Sequence, residues 1–409
     1  MRYLRENFTI YHHNDPDGYF GAAMCRELID QLFLVQNSGM VHGEVIENPI
    51  RVNYQELNYP KVFPIDTMSK GDIVFIVDVS FGENTFNQLK QVCEKAEKVY
   101  WIDHHATSLN DVVPLLEKEP IENLQYFVDT RYCGAMNTYI CIGTHYFNRF
   151  DDNFNEPPYN KYLKTLCKTP KFEYCGNDEE KEDIAFEDLG KKTEIYKLEG
   201  YFYVDFHDDN DNTYSLCIPT YLILLDDYDC FKQKFAESDF FTYAIRNREL
   251  SYYLAFVKRY KRLHKQAKEK KGANLYTVQK EFNETTLAGM IRDGSLIVGF
   301  LKSDYDKNIV HAFVCDFSKY GGPEKTICLN QRGNSWVFSN LYDEYDMCCM
   351  FHHDKDHWTY SLYANDEAKA KGIDCSKIAA RIDPNGGGHP GASGFSTDEL
   401  IFDKNNVLK

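Results

Sequence analysis

The sequence predicts an α/β protein. A mostly parallel sheet with helices on both faces is joined by a helical linker to a smaller α/β C-terminal domain with a mixed sheet. Three observations predict it. Short apolar runs alternate with helical patterns over the first 150 residues. Those runs are apolar throughout, as in strands buried on both faces, rather than alternating apolar and polar. A long charged helical stretch, residues 241–271, then separates them from a second, shorter set of strands.

Residues 7–13 (NFTIYHH) read as a strand running into a polar turn, and 18–34 as a helix with Ala22, Leu28, Ile29 and Leu32 on its apolar side. Residues 52–57, 72–79 (DIVFIVDV), 98–102 (KVYWI) and 124–128 read as strands, and 134–147 as a helix. Residues 150–213 break the pattern, with Pro157, Pro158 and Pro170 among acidic and amide residues, and read as an insertion. Within it, 192–206 suits a β-hairpin turning at Glu199–Gly200. Residues 221–225 (YLILL) read as a return strand ending at Asp226, Asp227, Tyr228 and Asp229. Beyond the linker, strands are expected near 294–300, 310–315 and 345–351, with a hairpin through 352–357 into 358–363. A helix and the glycine-rich run 386–395 close the chain. The expected division is 1–240, a linker over 241–285, and 286–409.

The chain has 409 residues and 13 cysteines, and its formal net charge is −17. That length permits a core of ordinary size without disulfide staples. The acidic balance argues against a broad basic face for coating long nucleic acid. It leaves room for a small phosphorylated substrate in a local pocket. Residues 1–10 carry no apolar run, and no stretch reaches the roughly 18 apolar residues of a spanning helix. The expected location is the cytoplasm, with no membrane partner and the scattered cysteines reduced. The 30 Tyr and 28 Phe are spread along the whole chain, as compositional bias rather than a stacking platform.

Ligands of open parallel sheets sit at the carboxyl ends of the strands, and four polar clusters fall there. In His13-Asn14-Asp15-Pro16-Asp17-Gly18, the Asp-x-Asp step puts two carboxylates on one side of an extended backbone. Gly18 lets the chain turn close to an ion, while Asp17 is equally well placed to cap the next helix. Asp78 ends the apolar run 72–79. Asp103-His104-His105 follows the run 98–102 and can supply a ligand, a phosphate contact and an orienting group. Asp226, Asp227 and Asp229 follow the expected return strand. Together they offer enough N and O donors for two octahedral-leaning divalent ions. The consecutive glycines Gly386, Gly387 and Gly388, followed by His389, expose backbone N–H groups of the kind that bind anions. The run His352-His353-Asp354-Lys355-Asp356-His357 is read as a hairpin turn rather than a metal site, and His12 faces away from His13.

The order of these motifs resembles the DHH phosphoesterases, and the segment from Gly386 through His389 to Phe395 looks like the C-terminal domain that accompanies them. The resemblance covers nearly the whole chain except the insertion. It implies a phosphodiesterase or nuclease using two divalent cations, manganese first, magnesium or cobalt as substitutes. It implies His13 and Asp15 on one ion, Asp17, His104 and Asp227 on the other, and Asp78 bridging both. His105 would donate to the phosphoryl oxygen and Asp103 would orient the histidine pair. His389 with Gly386–Gly388 would bind substrate. The expected substrate is a short oligonucleotide or small nucleotide, linear or cyclic. A RecJ-like exonuclease on longer strands is the alternative, with the basic run 258–271 as its funnel. A catalytically inert nucleotide-binding module is the alternative from another class. A homodimer is left open.

Overall fold

The computed structural model describes residues 7–38, 50–58, 62–146, 196–198, 201–207, 213–232, 234–269, 280–333, 335–338, 341 and 344–409. Most of the expected insertion lies outside them. The described chain divides into two compact units, 1–295 and 296–409.

The first unit holds a five-stranded sheet of β1 (Asn7–His13), β2 (Arg51–Leu57), β3 (Ile73–Val77), β4 (Lys98–Asp103) and β5 (Leu124–Val128). Every pairing is parallel, in the order β2-β1-β3-β4-β5. The inner strands β1, β3 and β4 are buried on both faces because their side chains alternate between two cores. On β3, Ile73, Phe75 and Val77 join one cluster, with α1 (Pro16–Ser38) and α4 (Gly134–Tyr146); Val74 and Ile76 join the other, with α2 (Phe86–Lys95) and α3 (Val113–Lys118). The strand order reverses between β1 and β3. Chains leaving their carboxyl ends part to opposite sides there, opening the crevice where such sheets bind ligands.

Three short antiparallel strands follow, β6 (Tyr196–Leu198), β7 (Tyr201–His207) and β8 (Thr213–Ile218). The first two form the expected hairpin. The apolar run after Pro219 is a helix, α5 (Thr220–Asp229), not the expected strand. Its residues from Tyr221 to Asp227 are all buried, and a short run that is apolar all round carries no period to tell strand from helix. The basic stretch is broken into α6 (Ala236–Ile245) and α7 (Leu250–Glu269). Residues 294–300 also depart from expectation, lying inside α8 (Ala288–Asn308).

The second unit carries a six-stranded mixed sheet of β9 (Phe313–Cys315), β10 (Thr326–Asn330), β11 (Met347–Asp354), β12 (His357–Ala364), β13 (Gly387–His389) and β14 (Ala392–Thr397). Its order is β13-β14-β12-β11-β10-β9, and only β10 and β11 are parallel. β11 turns into β12 at Asp354–His357, the expected hairpin, with Lys355 in left-handed backbone. The helices α9 (Asp366–Ala370) and α10 (Cys375–Ile382) precede the glycine-rich hairpin. No described helix is long and apolar enough to cross a membrane.

Candidate metal centre

Three chain crossings at the carboxyl edge of the first sheet build the site. β1 ends at His13, and the next amide, Asn14, donates to Leu57 O at 2.9 Å, which keeps the turn on β2. Asp15 caps α1: its Oδ1 accepts the Gly18 amide at 2.9 Å, with Pro16 at the first helical position. The cap therefore falls on Asp15 and not on Asp17. Gly18 is required here, because a Cβ would meet His13 O at 2.3 Å. The other carboxylate oxygen of Asp15 accepts from His13 Nδ1 at 2.9 Å.

Asp17 reaches across to another helix. It accepts the amides of Gly134 and Ala135, at 2.6 and 2.7 Å, so its carboxylate sits on the N-terminus of α4. Gly134 lies under it. A Cβ there would come within 2.7 Å of Asp78 Cβ and 2.9 Å of Asp17 Oδ2. Asp78 follows β3 with φ +56°, a left-handed conformation that costs a non-glycine residue on the order of 1–3 kcal/mol. Its amide donates to Ile102 O, which fixes it to β4. Its Oδ1 lies 3.1 Å from His104 Nε2. Its Oδ2 is buried with no hydrogen-bond donor in reach, His13 Nδ1 standing 3.6 Å off.

β4 delivers the histidine pair. Asp103 is fully buried and accepts His105 Nδ1–H at 2.8 Å and the Ser108 hydroxyl. Asn137 of α4 donates to the carbonyls of Asp103 and Asp129, tying the ends of β4 and β5 together. His104 Nε2 stands 3.5 Å from Asp229 Oδ2 and 3.8 Å from Asp17 Oδ2.

Because 220–229 is helical, the acidic residues after the apolar run separate by the helical period. Asp226, Asp229 and Cys230 share one face (i, i+3, i+4) and Asp227 turns away. Asp227 accepts the Lys234 and Phe235 amides at 2.8 and 3.2 Å and the Ser238 hydroxyl at 2.7 Å. Those bonds fix the start of α6 rather than a ligand position. Asp226 accepts the Cys133 amide at 2.8 Å and pairs with Lys232. The residue brought to His104 is Asp229. Among the described residues, three groups bring metal-type donors within 4.8 Å of one another: His13–Asp15–Asp78, Asp78–His104–His105, and His104–Asp229–Cys230. None involves 352–357.

The electrostatics agree with a site built for more positive charge than the chain supplies. Burial would raise Asp78, but the hydrogen bond from His104 and the nearby His13 imidazole outweigh it and hold its carboxyl well below the usual range. Burial would lower His13, yet its bond to Asp15 and the nearby Asp78 carboxylate hold it at about 10. His104 is likewise raised by Asp78, Cys230 and Asp229 against its burial, and His105 by Asp103. Burial, then repulsion from Asp78 and Asp229, pushes Asp17 far above an ordinary carboxylate. Burial, with Asp15 and Asp78 nearby, brings Asp229 to about 7 against the pull of His104. Protons thus stand where cations would neutralise the acids. The orphaned Asp78 Oδ2 and the mixed carboxylate–imidazole donors fit divalent ions.

His12 is buried, its Nδ1 donating to His13 O, and its imidazole is pushed down by burial. In the second unit, His389 is exposed on β13. The run 386–389 forms a strand edge paired with β14, not a helix N-terminus. Gly386 is needed for packing, since a Cβ would meet Ala379 O at 2.7 Å, and Gly388 for its φ of +139°. The sequence reading missed Gly134, the two amides of α4 and Cys230. An apolar helix start offers no chemical signal for the first two, and a lone cysteine offers little for the third.

No family model and no curated protein matches the chain. Solved structures do. The chain is similar to an exonuclease RecJ bound to manganese, with 14% identity and a TM-score of 0.40 over 96% of this chain and 86% of that one. It is similar to a pGpG-specific phosphodiesterase, PggH, from Vibrio cholerae, with 9% identity and a TM-score of 0.38 over 97% and 94%. It is also similar to an exopolyphosphatase-related protein from Bacteroides fragilis, with 13% identity and a TM-score of 0.40 over 97% and 88%.

Proposed function

We propose that this chain is a metal-dependent phosphodiesterase or nuclease whose site holds two divalent cations, manganese first. One observation carries the reading: buried Asp78, held in left-handed backbone, belongs to both the His13–Asp15 group and the His104–His105 group and keeps one oxygen without a donor. His13 and Asp15 would hold one ion, Asp17, His104 and Asp229 the other, with Asp78 between them. When bound, such a pair supplies the positive charge and the activated water that in-line attack on phosphorus requires.

The chain's own residues do the rest. Asp103, fixed by Ser108, holds His105 by its Nδ1 and raises its hold on a proton, which favours donation from its other nitrogen, Nε2, to the phosphoryl oxygen as charge grows there. The amides of Gly134 and Ala135 fix Asp17 against rotation. His389 with the segment Gly386–Gly388 is proposed to hold the substrate's second phosphate or terminal nucleotide, although the Gly386 amide itself donates to Asp383 O at 2.8 Å. At a net charge of −17, short oligonucleotides and small nucleotides are favoured over long strands.

The test is a panel of labelled dinucleotides, 20-mers, cyclic dinucleotides and bis-phosphorylated nucleosides, with manganese and with excess chelator. Hydrolysis that needs the metal and is fastest on the shortest substrates supports the reading. Full activity in chelator after metal-free purification refutes it. Faster cleavage of the 20-mers favours the exonuclease alternative, and metal binding without turnover of any substrate favours the inert module.

A further inference from the structure

We infer that Cys230 is a thiolate ligand of the cation held by His104 and Asp229, which makes that position softer than the one at His13 and Asp15. The inference rests on the two-cation reading and assigns to it a donor that none of the motifs above contains.

Three observations carry it. First, the sulfur is in reach: one donor atom from each of His104, Asp229 and Cys230 lies within 4.8 Å of the others, and His104 Nε2 is 3.5 Å from Asp229 Oδ2. An ion bound to imidazole at about 2.0–2.1 Å and to thiolate at about 2.3 Å sets tetrahedral donor separations of roughly 3.5 Å. The three atoms therefore need only small side-chain rotations. Second, Cys230 differs from the other cysteines in place: the nine others whose burial is described are buried, while Cys230 is partly exposed. It stands at the C-terminal end of α5, its amide bonded to Asp226 O and Tyr228 O, and the next residue, Phe231, is in left-handed backbone with φ +57°. A helix C-terminus favours a cation. Third, the His104 nitrogen beside the sulfur also lies 3.1 Å from Asp78 Oδ1, so Cys230 adjoins the carboxylate that the two-cation reading places between the ions.

Without an ion, the Cys230 S–H points to Asp226 Oδ1 at 3.6 Å. On binding, the S–H bond breaks, its proton leaves to solvent, and the sulfur lone pair forms the metal bond. Thiolate in a His/Asp set shifts preference toward cobalt, zinc or iron(II) over manganese, whereas the His13–Asp15–Asp78 donors suit harder ions.

The test is spectroscopic. Metal-free full-length protein is titrated with cobalt(II), and its near-ultraviolet and visible spectra are recorded for wild type, Cys230→Ser and Asp227→Asn. Serine keeps the bond to Asp226 and removes only the sulfur. The expected result is a sulfur-to-cobalt charge-transfer band in wild type and Asp227→Asn that is lost in Cys230→Ser, whose visible cobalt bands persist. Zinc affinity should fall about a hundredfold or more in Cys230→Ser, beyond the 10–100-fold typical of residues that only support a ligand, with manganese affinity much less changed. A parallel alkylation experiment, read by peptide mass, should show Cys230 protected by cobalt. Visible cobalt bands without charge transfer in the wild type would overturn the assignment of Cys230 and leave the two-cation reading standing. No retained cobalt or manganese would overturn both.

Discussion

Gly134→Ala tests the site's architecture without touching any charged group. Residue 134 opens α4, where alanine is the better helix former by up to about 1 kcal/mol. The added methyl would nevertheless lie 2.7 Å from Asp78 Cβ, 2.9 Å from Asp17 Oδ2 and 3.2 Å from Asp78 Cγ, against a lower limit of 3.4 Å for ordinary contact. Asp78 must therefore move by about 0.7 Å (3.4 − 2.7), or α4 must lift by a similar amount. Neither is free to do so. Asp78 is pinned by its amide bond to Ile102 O, and α4 by Asp17 and by Asn137. Overpacking of this kind costs about 1–3 kcal/mol, partly offset by the helix propensity, so the fold should survive with a modestly lowered melting temperature. The site should not. A displacement near 1 Å in a positioned group costs about a hundredfold in rate, or roughly 2.7 kcal/mol. The assay is bound manganese by elemental analysis together with kcat/KM on the best short substrate. Full metal occupancy and an undiminished rate would refute the reasoning that this glycine holds Asp78 and Asp17 in register.

The remaining predictions concern single side chains. Asp229→Ala should lose one of the two ions, whereas Asp227→Ala should keep both and lose about 1.5–3 kcal/mol of stability in denaturant melts from the stranded donors at 234, 235 and 238; equal metal loss in both would restore Asp227 as the ligand. Asp78→Ala should abolish turnover and metal binding, while His353→Ala on the β11–β12 hairpin should leave the rate within about twofold; similar losses would mean the site is misplaced. Metal affinity should rise with pH, because His13, at about 10, and Asp229, at about 7, must shed protons as an ion arrives. Calorimetry in two buffers of different ionisation heat should read at least about one proton released at neutral pH, and none released would contradict the charge assignments.

Much of this arrangement is readable from the residues alone, for definite reasons. The strands β3, β4 and β5 are apolar and bounded by polar residues, so their position follows from burial. The carboxyl ends of β1, β3 and β4 then place His13, Asp15, Asp17, Asp78 and the histidine pair on one edge. The failures at 221–225 and 294–300 share a cause. Both are short apolar runs whose surroundings decide between strand and helix, and in both the chain takes the helix. The first error propagated into chemistry. In an extended chain, Asp227 and Asp229 share a face; in a helix, Asp229 shares its face with Asp226 and Cys230, and Asp227 is left to fix the start of α6. The glycine-rich run shows the reverse case. Its composition suggests exposed N–H groups for an anion, and the structure shows the glycines also serving close packing, Gly386 against Ala379 and Gly388 against Ala392.

The placement of Asp78 explains why the pieces need one another. It occupies the crevice that the reversal of strand order between β1 and β3 opens, flanked by His13 at the end of β1 and by His104 beyond β4. Its backbone is left-handed, with φ +56°. That conformation is sustained by the Ile102 carbonyl, by the missing side chain of Gly134, and by two histidines that its charge keeps protonated. With protons alone the balance is incomplete: Asp17 and Asp229 are pushed toward neutrality and Asp78 Oδ2 has no donor. Two divalent cations would satisfy all three groups together while releasing the histidines to act as ligands. The same strain that makes the metal-free site costly is therefore what would make ion binding favourable, and it disperses only if Asp78 is shared between both ions.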